Sequence, residues 1–109
     1  MLKAKDIAAM IDHSLLRPNM TVEEIKAGCE VAKRYQTASV CVRPADVSLA
    51  AELLKGTGIA LSTVIGFPHG TQTTSIKLTE ALEAMEAGVV ELDMVMNYSR
   101  LLSGDFDYV

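Results

Sequence analysis

Segments with helical and with strand periodicity alternate along this chain, and this alternation restricts the fold more than any other feature of the sequence. Stretches typical of strands begin near residues 11, 38, 60 and 89. One helical pattern separates each pair, and a further one precedes the first strand. A single crossover helix makes neighbouring strands parallel. The sequence therefore predicts an α/β fold of four parallel strands with alternating helices and an extra N-terminal helix.

The predicted helices carry start signals and apolar faces at helical spacing. In NMTVEEIKAGCEVAKRYQ, Thr21 is followed three residues later by Glu24, which is the spacing of a capping box. In TTSIKLTEALEAMEAG, one apolar face carries Leu78, Leu82 and Met85, and a glycine ends the pattern. These signals support the division into helices and strands.

The last predicted strand, VVELDMVMN over 89–97, is an apolar run typical of a buried strand, but it contains two acids. Burying an unpaired carboxylate costs several kcal/mol or forces the group to take up a proton. Side chains alternate between the two faces of a strand, so Glu91 and Asp93 share one face, while Leu92, Met94 and Met96 share the other. The strand therefore has one polar face and one apolar face.

The first two strands show the same division of polar and apolar residues. Asp12 and Ser14 share a side of the first strand, and Ser39 and Cys41 share a side of the second. Two architectures fit the order of elements, an open doubly wound sheet and a closed (β/α)8 barrel. A barrel explains the polar face, because that face lines a lumen whose C-terminal end holds the active site. The pattern favours the barrel.

Several candidate residues also have plain structural interpretations. Glu91 lies at the start of its strand, where polar residues of barrels usually serve stability, so we expect a structural ion pair there. Asp93 is equally consistent with function and with structure. Cys41 taken alone is typical of a small core residue. Lys77 is expected to extend along the surface of its helix. GFPHGTQTT is expected to form a strand-to-helix loop.

Composition and charge exclude several classes of function. At 109 residues and 50% hydrophobic residues, the sequence predicts one globular domain. The net charge of −4 comes without a basic cluster, which argues against a nucleic-acid partner. The sequence lacks an apolar run of membrane-spanning length and a secretory signal, so we expect no membrane association and a cytoplasmic location. Its two cysteines are expected to be reduced thiols without zinc-ligand spacing. A small molecule or a protein is left as partner.

Four segments together resemble one enzyme family, the deoxyribose-phosphate aldolases. They are IDHSLLRPNMT, ASVCVRPADVSLAAELLKGT, STVIGFPHGTQTTSIK and ELDMVMNYSRLLSGDFDYV, and they follow the order of that family. The resemblance implies a (β/α)8 barrel with an extra N-terminal helix. It also implies a class I aldolase that reversibly splits 2-deoxyribose 5-phosphate into glyceraldehyde 3-phosphate and acetaldehyde through a lysine Schiff base. The implied partner is a small phosphorylated sugar, and no metal or other cofactor is implied.

The resemblance also assigns roles to residues of this sequence. Asp93, in the E-x-D-M-V strand, matches the aspartate of the proton relay. Asp12 and Ser14 match a first-strand pattern that joins the hydrogen-bond network of the pocket, and Cys41 matches a residue of the pocket wall. Ser14 stands where a threonine is usual, and Arg43 stands where an asparagine is common.

The length of the chain departs from that of a complete barrel, which needs roughly 200 residues or more. We therefore expect residues 1–109 to form a single partial domain. It would be the N-terminal half of a barrel, truncated at the start of the fourth helix. The strand that carries the Schiff-base lysine in the family is absent, so the chain alone is expected to be inactive. A longer chain, a second copy or another polypeptide would cover the open half. The alternative is a non-catalytic half-barrel module that oligomerises or binds a partner or a small anion.

Overall fold

The computed structural model describes all of residues 1–109, which form five α-helices and four strands. In chain order these are α1 (Ala4–Ala8), β1 (Asp12–Leu15), α2 (Val22–Tyr35), β2 (Ser39–Val42), α3 (Val47–Leu54), β3 (Ala60–Ile65), α4 (Thr74–Glu86), β4 (Glu91–Met94) and α5 (Tyr98–Leu102). A 3₁₀ turn over Pro44–Asp46 leads into α3. None of the helices has both the length and the apolar character needed to cross a bilayer.

The four strands form one parallel sheet in the order β1-β2-β3-β4. The predicted fold class of four parallel strands with alternating helices and an extra N-terminal helix is therefore confirmed. The strands are shorter than the apolar runs that predicted them, and β4 takes only Glu91–Met94 of the predicted 89–97. The short helix α5 was not predicted, and turns rather than a helix follow it to residue 108.

The predicted capping box at the start of α2 is present. The amide of Glu24 donates to Thr21 Oγ1 at 3.2 Å, and the amide of Thr21 donates to Glu24 Oε2 at 2.7 Å. The helix α4 begins in a similar way, because the Thr73 hydroxyl accepts the amide of Ile76 at 3.4 Å. These contacts satisfy amides that have no partner within the helix.

The hydrophobic core lies between the helices and one face of the first three strands. Fourteen buried residues form it, and none comes from β4. They are Leu15, Ile25, Cys29, Ala32, Val40, Val42, Val47, Ala50, Leu54, Ile59, Leu61, Ile65, Ala84 and Val89. Helix α4 contributes only Ala84, so the core belongs mainly to α2, α3 and the strands they cover.

The last third of the chain carries a large uncovered apolar surface. Leu82 on α4 is 51% exposed and Met94 on β4 is 65% exposed, and Leu78 and Met85 are also exposed. A folded monomer of 11.7 kDa exposes about 5,900 Å², whereas this chain exposes 7110 Å². Every residue of β4 is exposed, so the expectation that the fourth strand is buried is wrong for this chain. The reason is that β4 is the last strand of the sheet. It pairs with β3 along one edge, and no strand pairs with its other edge.

Candidate active site

The polar face of the sheet carries a hydrogen-bonded cluster that begins on β1. The Ser39 hydroxyl on β2 donates to Asp12 Oδ1 at 2.5 Å, and the Ser62 hydroxyl on β3 lies 3.4 Å from the same oxygen. Ser62 also lies 3.2 Å from the carbonyl oxygen of Val40. Both serines are buried, whereas the Asp12 side chain is exposed. Two short hydroxyl side chains therefore hold one carboxylate on the polar face of the sheet.

Cys41 joins this cluster to the acid of β4. Its Sγ lies 4.0 Å from Asp93 Oδ2, the limit for a weak thiol hydrogen bond, and the residue is only 2% exposed. Burial raises the pKa of the Cys41 thiol, a hydrogen bond with Ser62 opposes this rise, and the nearby carboxylates, Asp12 first, add to it. The thiol is therefore protonated at neutral pH, where it is a weak hydrogen-bond donor.

Asp12, Cys41 and Asp93 also form the group in this structure that could hold a metal ion. One ligand atom from each lies within 4.8 Å of the others. The donor set combines two hard carboxylates with one soft thiol, and only the thiolate form of a cysteine binds metals well. This mixed donor set points to no particular metal ion, whereas the 4.0 Å between Cys41 Sγ and Asp93 Oδ2 fits a weak hydrogen bond.

The structure places the remaining predicted residues less closely. Ser14 lies on the same face as Asp12, and its Cα pairs with that of Cys41, but its side chain is exposed and has no hydrogen-bond partner. Glu91 is exposed and takes part in none of the five ion pairs. The expected structural ion pair of Glu91 is therefore wrong for this chain, because no cationic side chain lies within reach at the edge of the sheet.

Two hydrogen bonds connect helix α4 to the backbone that follows β3 and β4. The Lys77 ammonium donates to the carbonyl oxygen of Val95 at 2.7 Å. One turn further on, Glu80 accepts the amide of Gly66 at 2.7 Å. Lys77 is half-buried in this contact, so the expectation that it extends along the helix surface is wrong. Its stem crosses the end of β3 instead, which the sequence pattern did not indicate.

A second clamp joins the loops that follow β1 and β2. The Nε of Arg43 donates to Asp46 Oδ2 at 2.6 Å, and the rest of the guanidinium donates to three carbonyl oxygens at 3.0–3.2 Å. Those carbonyls belong to Arg17, Pro18 and Met20. A planar guanidinium can make these contacts together, whereas a shorter amide could not reach them. Arg43 therefore holds two loops on the side where the strands end.

The loop between β3 and α4 also packs closely against the segment that follows β4. Gly70 has φ +69°, and a Cβ placed there would lie 2.1 Å from the carbonyl oxygen of Met96. Both the backbone conformation and the space therefore favour glycine. Together with Lys77, this contact fixes the exit of the strand that carries Asp93.

Comparison with known proteins decides between the architectures that the sequence left open. Over 104 residues the chain is 54% identical to a deoxyribose-phosphate aldolase from Caldanaerobacter subterraneus subsp. tengcongensis, and 49% identical to another from Rhodopirellula baltica. It superimposes with a TM-score of 0.96 and 44% identity on a structure described as a deoxyribose-phosphate aldolase from Coccidioides immitis. Over 95% of its length the chain is similar to deoxyribose-phosphate aldolases. Its four strands fit the N-terminal half of the aldolase barrel, as predicted.

The match covers most of this chain but only part of each relative. The alignments include 95% of the chain and 43–45% of these two aldolases. A tetrameric aldolase from Aeropyrum pernix matches with a TM-score of 0.84, and the chain covers 48% of it. The chain thus spans about half the length of its aldolase relatives. No protein-family model matches the sequence.

Two residues of the cluster were missing from the predicted site. Ser62 was not singled out, although the period of two in the third strand places it opposite the core residues Leu61 and Ile65. Ser39 was assigned to that face but not to the site. Their hydrogen bonds to Asp12 depend on the register between strands, which pairs Asp12 with Ser39 and Cys41 with Ser62. The available signal was the period of two along each strand, which places both serines opposite apolar residues.

Proposed function

We propose that this chain forms the acid-bearing half of a class I aldolase that cleaves 2-deoxyribose 5-phosphate into glyceraldehyde 3-phosphate and acetaldehyde. The observation that carries the proposal is the position of Asp93, beside a buried thiol on the polar face of a sheet that matches half of an aldolase barrel. No strand of this chain carries a lysine. The amine that forms the Schiff base is therefore supplied by the half that covers this face.

The proposed reaction needs a group that moves protons at the reacting carbons. The lysine amine condenses with the substrate aldehyde and releases water, and the iminium accepts the electron pair when the bond between C2 and C3 breaks. A base takes the proton of the C3 hydroxyl, and an acid then protonates the enamine before hydrolysis releases acetaldehyde. We assign this relay to Asp93, because its carboxylate lies on the open polar face where a substrate can reach it.

The other residues of the cluster have supporting roles in this proposal. Asp12, held by the hydroxyls of Ser39 and Ser62, and the free hydroxyl of Ser14 provide hydrogen-bonding groups for water and substrate. Cys41 forms the wall behind Asp93. The phosphorylated sugar enters from the ends of the strands, where the loops held by Arg43 and Lys77 surround the opening.

The test of this proposal is a completed barrel, made by joining this chain to the part of the Caldanaerobacter relative that it does not cover. We expect the completed barrel to release glyceraldehyde 3-phosphate from 2-deoxyribose 5-phosphate in a coupled assay. Asp93→Asn should lower its kcat by about 100-fold or more, within the range for a lost acid–base group. The unfolding free energy should stay within about 1 kcal/mol of the parent value or rise, because active-site charges are often kept at a cost in stability.

The matched control is Asp105→Asn in the same completed barrel. Asp105 is an acid near the end of the chain, 2.9 Å from Arg100, and lies outside the cluster. We expect its kcat to stay within a factor of two. Full activity of the Asp93→Asn barrel, or an equal loss in both variants, would show that Asp93 has no part in the reaction.

The uncovered surface supports a second candidate function, a non-catalytic half-barrel that assembles with another copy. The chain exposes about 1,200 Å² more than a folded monomer of its size, which exceeds the roughly 800 Å² that each partner buries in a stable interface. Light scattering on the 109-residue chain distinguishes the two functions. A well-defined dimer, combined with an inactive completed barrel, would favour the second. A borohydride-trapped acetaldehyde adduct on a lysine of the isolated chain would contradict the proposed division of the site.

A further inference from the structure

We infer that Lys77 is a positioning residue for Asp93, acting through the backbone at the exit of β4; this rests on the proposed function. The ammonium of Lys77 lies 2.7 Å from the carbonyl oxygen of Val95, which is two residues beyond Asp93. Val95 in turn donates its amide to the carbonyl oxygen of Ile65 at 2.9 Å. The backbone that carries Asp93 is thus tied to β3 by one group of Val95 and to α4 by the other.

The path of the Lys77 side chain supports a specific role for this contact. The stem crosses the end of β3 at Gly66, where a Cβ would lie 2.8 Å from Lys77 Cε and 3.3 Å from Cγ. A residue with a side chain at this position would therefore displace the lysine. The backbone of Gly66, with φ +63°, is itself held by Glu80, one turn after Lys77 on the same helix. The lysine side chain thus passes beside Gly66 to reach the backbone that follows β4.

The exposure of β4 makes this tie important. Each residue of β4 is exposed, so packing contributes little to its position. One edge of the strand pairs with β3, and the other edge is free in this chain. Without a hydrogen bond to the Val95 carbonyl, the backbone that follows β4 would be freer to move. A charge-assisted hydrogen bond from a half-buried lysine is about twice as strong as a neutral one and restrains that movement.

The first experiment measures the tie itself in the 109-residue chain. We expect Lys77→Met, which keeps the apolar stem and removes the donor, to speed amide exchange at Val95 by at least ten-fold while exchange in β2 stays unchanged. Lys77→Arg, which keeps a cationic donor, should restore part of the protection. The matched control is Lys26→Met, because Lys26 lies on the exposed face of α2, 3.9 Å from Glu23. An unchanged rate at Val95 in Lys77→Met would overturn the inference.

The second experiment measures the catalytic consequence in the completed barrel. The number of competent sites is first counted as the sites at which borohydride traps acetaldehyde. Per trapped site, we expect Lys77→Met to lower kcat at least ten-fold and to change KM by less than three-fold. Counting trapped sites removes any loss caused by misfolding, and a purely structural role would leave kcat per trapped site unchanged. Lys77→Arg should recover part of kcat, and Lys26→Met should keep all of it. Equal kcat per trapped site in Lys77→Met and the parent would overturn the inference.

The two experiments separate this inference from the proposed function. A completed barrel that is inactive before any substitution would refute the proposed function and the catalytic consequence with it. The exchange rate at Val95 would then still show whether Lys77 holds the exit of β4. An active barrel whose Lys77→Met variant is equally active would leave the proposed function standing and refute the role of Lys77 alone.

Discussion

Removing the guanidinium of Arg43 should destabilise the chain more than the loss of an exposed arginine does. Arg43→Met breaks the ion pair with Asp46 and three hydrogen bonds to loop carbonyls. Breaking a fully buried ion pair costs about 3–5 kcal/mol. The side chains of Arg43 and Asp46 are 24% and 12% exposed, so solvent lowers this cost. We expect a loss of about 2–3 kcal/mol in the free energy of unfolding, most of it from the unpaired Asp46.

The assay is urea unfolding followed by circular dichroism at 222 nm. A loss of this size should lower the urea midpoint by roughly 1–2 M for a small protein. Arg43→Lys keeps the charge but not the planar fork, so we expect it to lose about half as much. Adding Asp46→Asn to Arg43→Met should recover part of the loss, because the unpaired carboxylate is then removed.

The matched control for this series is Arg34→Met. Arg34 is exposed on α2 and lies over the ring of Tyr35 at 5.5 Å. Its loss should cost less than about 0.5 kcal/mol. The reasoning would be refuted if Arg43→Met and Arg34→Met had the same effect, since the clamp would then contribute no more than an ordinary surface arginine.

Three further predictions follow from the packing and from the buried thiols. Gly70→Ala should cost more than about 2 kcal/mol in urea unfolding, because its Cβ would meet the Met96 carbonyl, while Gly104→Ala, at φ +76° with open space, should cost only about 1–2. The buried thiols should make the chain less stable above pH 9. Burial raises the pKa of the Cys29 and Cys41 thiols above the ordinary 9.0, so the unfolded chain loses these protons first, and stability present below pH 9 falls as the pH rises through the folded pKa. A chain with both cysteines replaced by alanine should show a weaker fall between pH 9 and 10.5, and an identical slope would contradict this. Leu82→Gln should change unfolding by less than about 0.5 kcal/mol and reduce self-association in light scattering, because the side chain is 51% exposed.

The faces of the strands could be predicted from the sequence because side chains alternate along a strand whatever the tertiary context. Asp12, Cys41 and Asp93 were assigned to one face, and the structure brings them within 4.8 Å. The capping box at Thr21 was equally local, since donor and acceptor lie three residues apart. The face assignments and the cap depend on local backbone geometry, whereas the distances within the cluster depend on the register between strands.

The contacts that the sequence did not reveal join distant parts of the chain. Lys77 reaches a carbonyl 18 residues away, and Arg43 reaches a loop 23–26 residues before it. Both contacts depend on how a helix or loop packs on the sheet, which no local pattern records. The exposure of β4 was missed for a related reason, because an apolar strand pattern gives the preference for burial and not the presence of a covering element.

The uneven coverage of the sheet implies that assembly and site formation are one thermodynamic event. Each residue of β2 is buried, whereas each residue of β4 is exposed. Local opening costs least where few apolar contacts must be broken, so β4 should open at a much lower free energy than β2. An element that binds over β4 therefore also orders the strand that holds Asp93. The entropy lost in this ordering weakens the binding of that element. A tighter tie at the exit of β4 would then raise the affinity for any element that covers this strand, because less order would remain to be imposed.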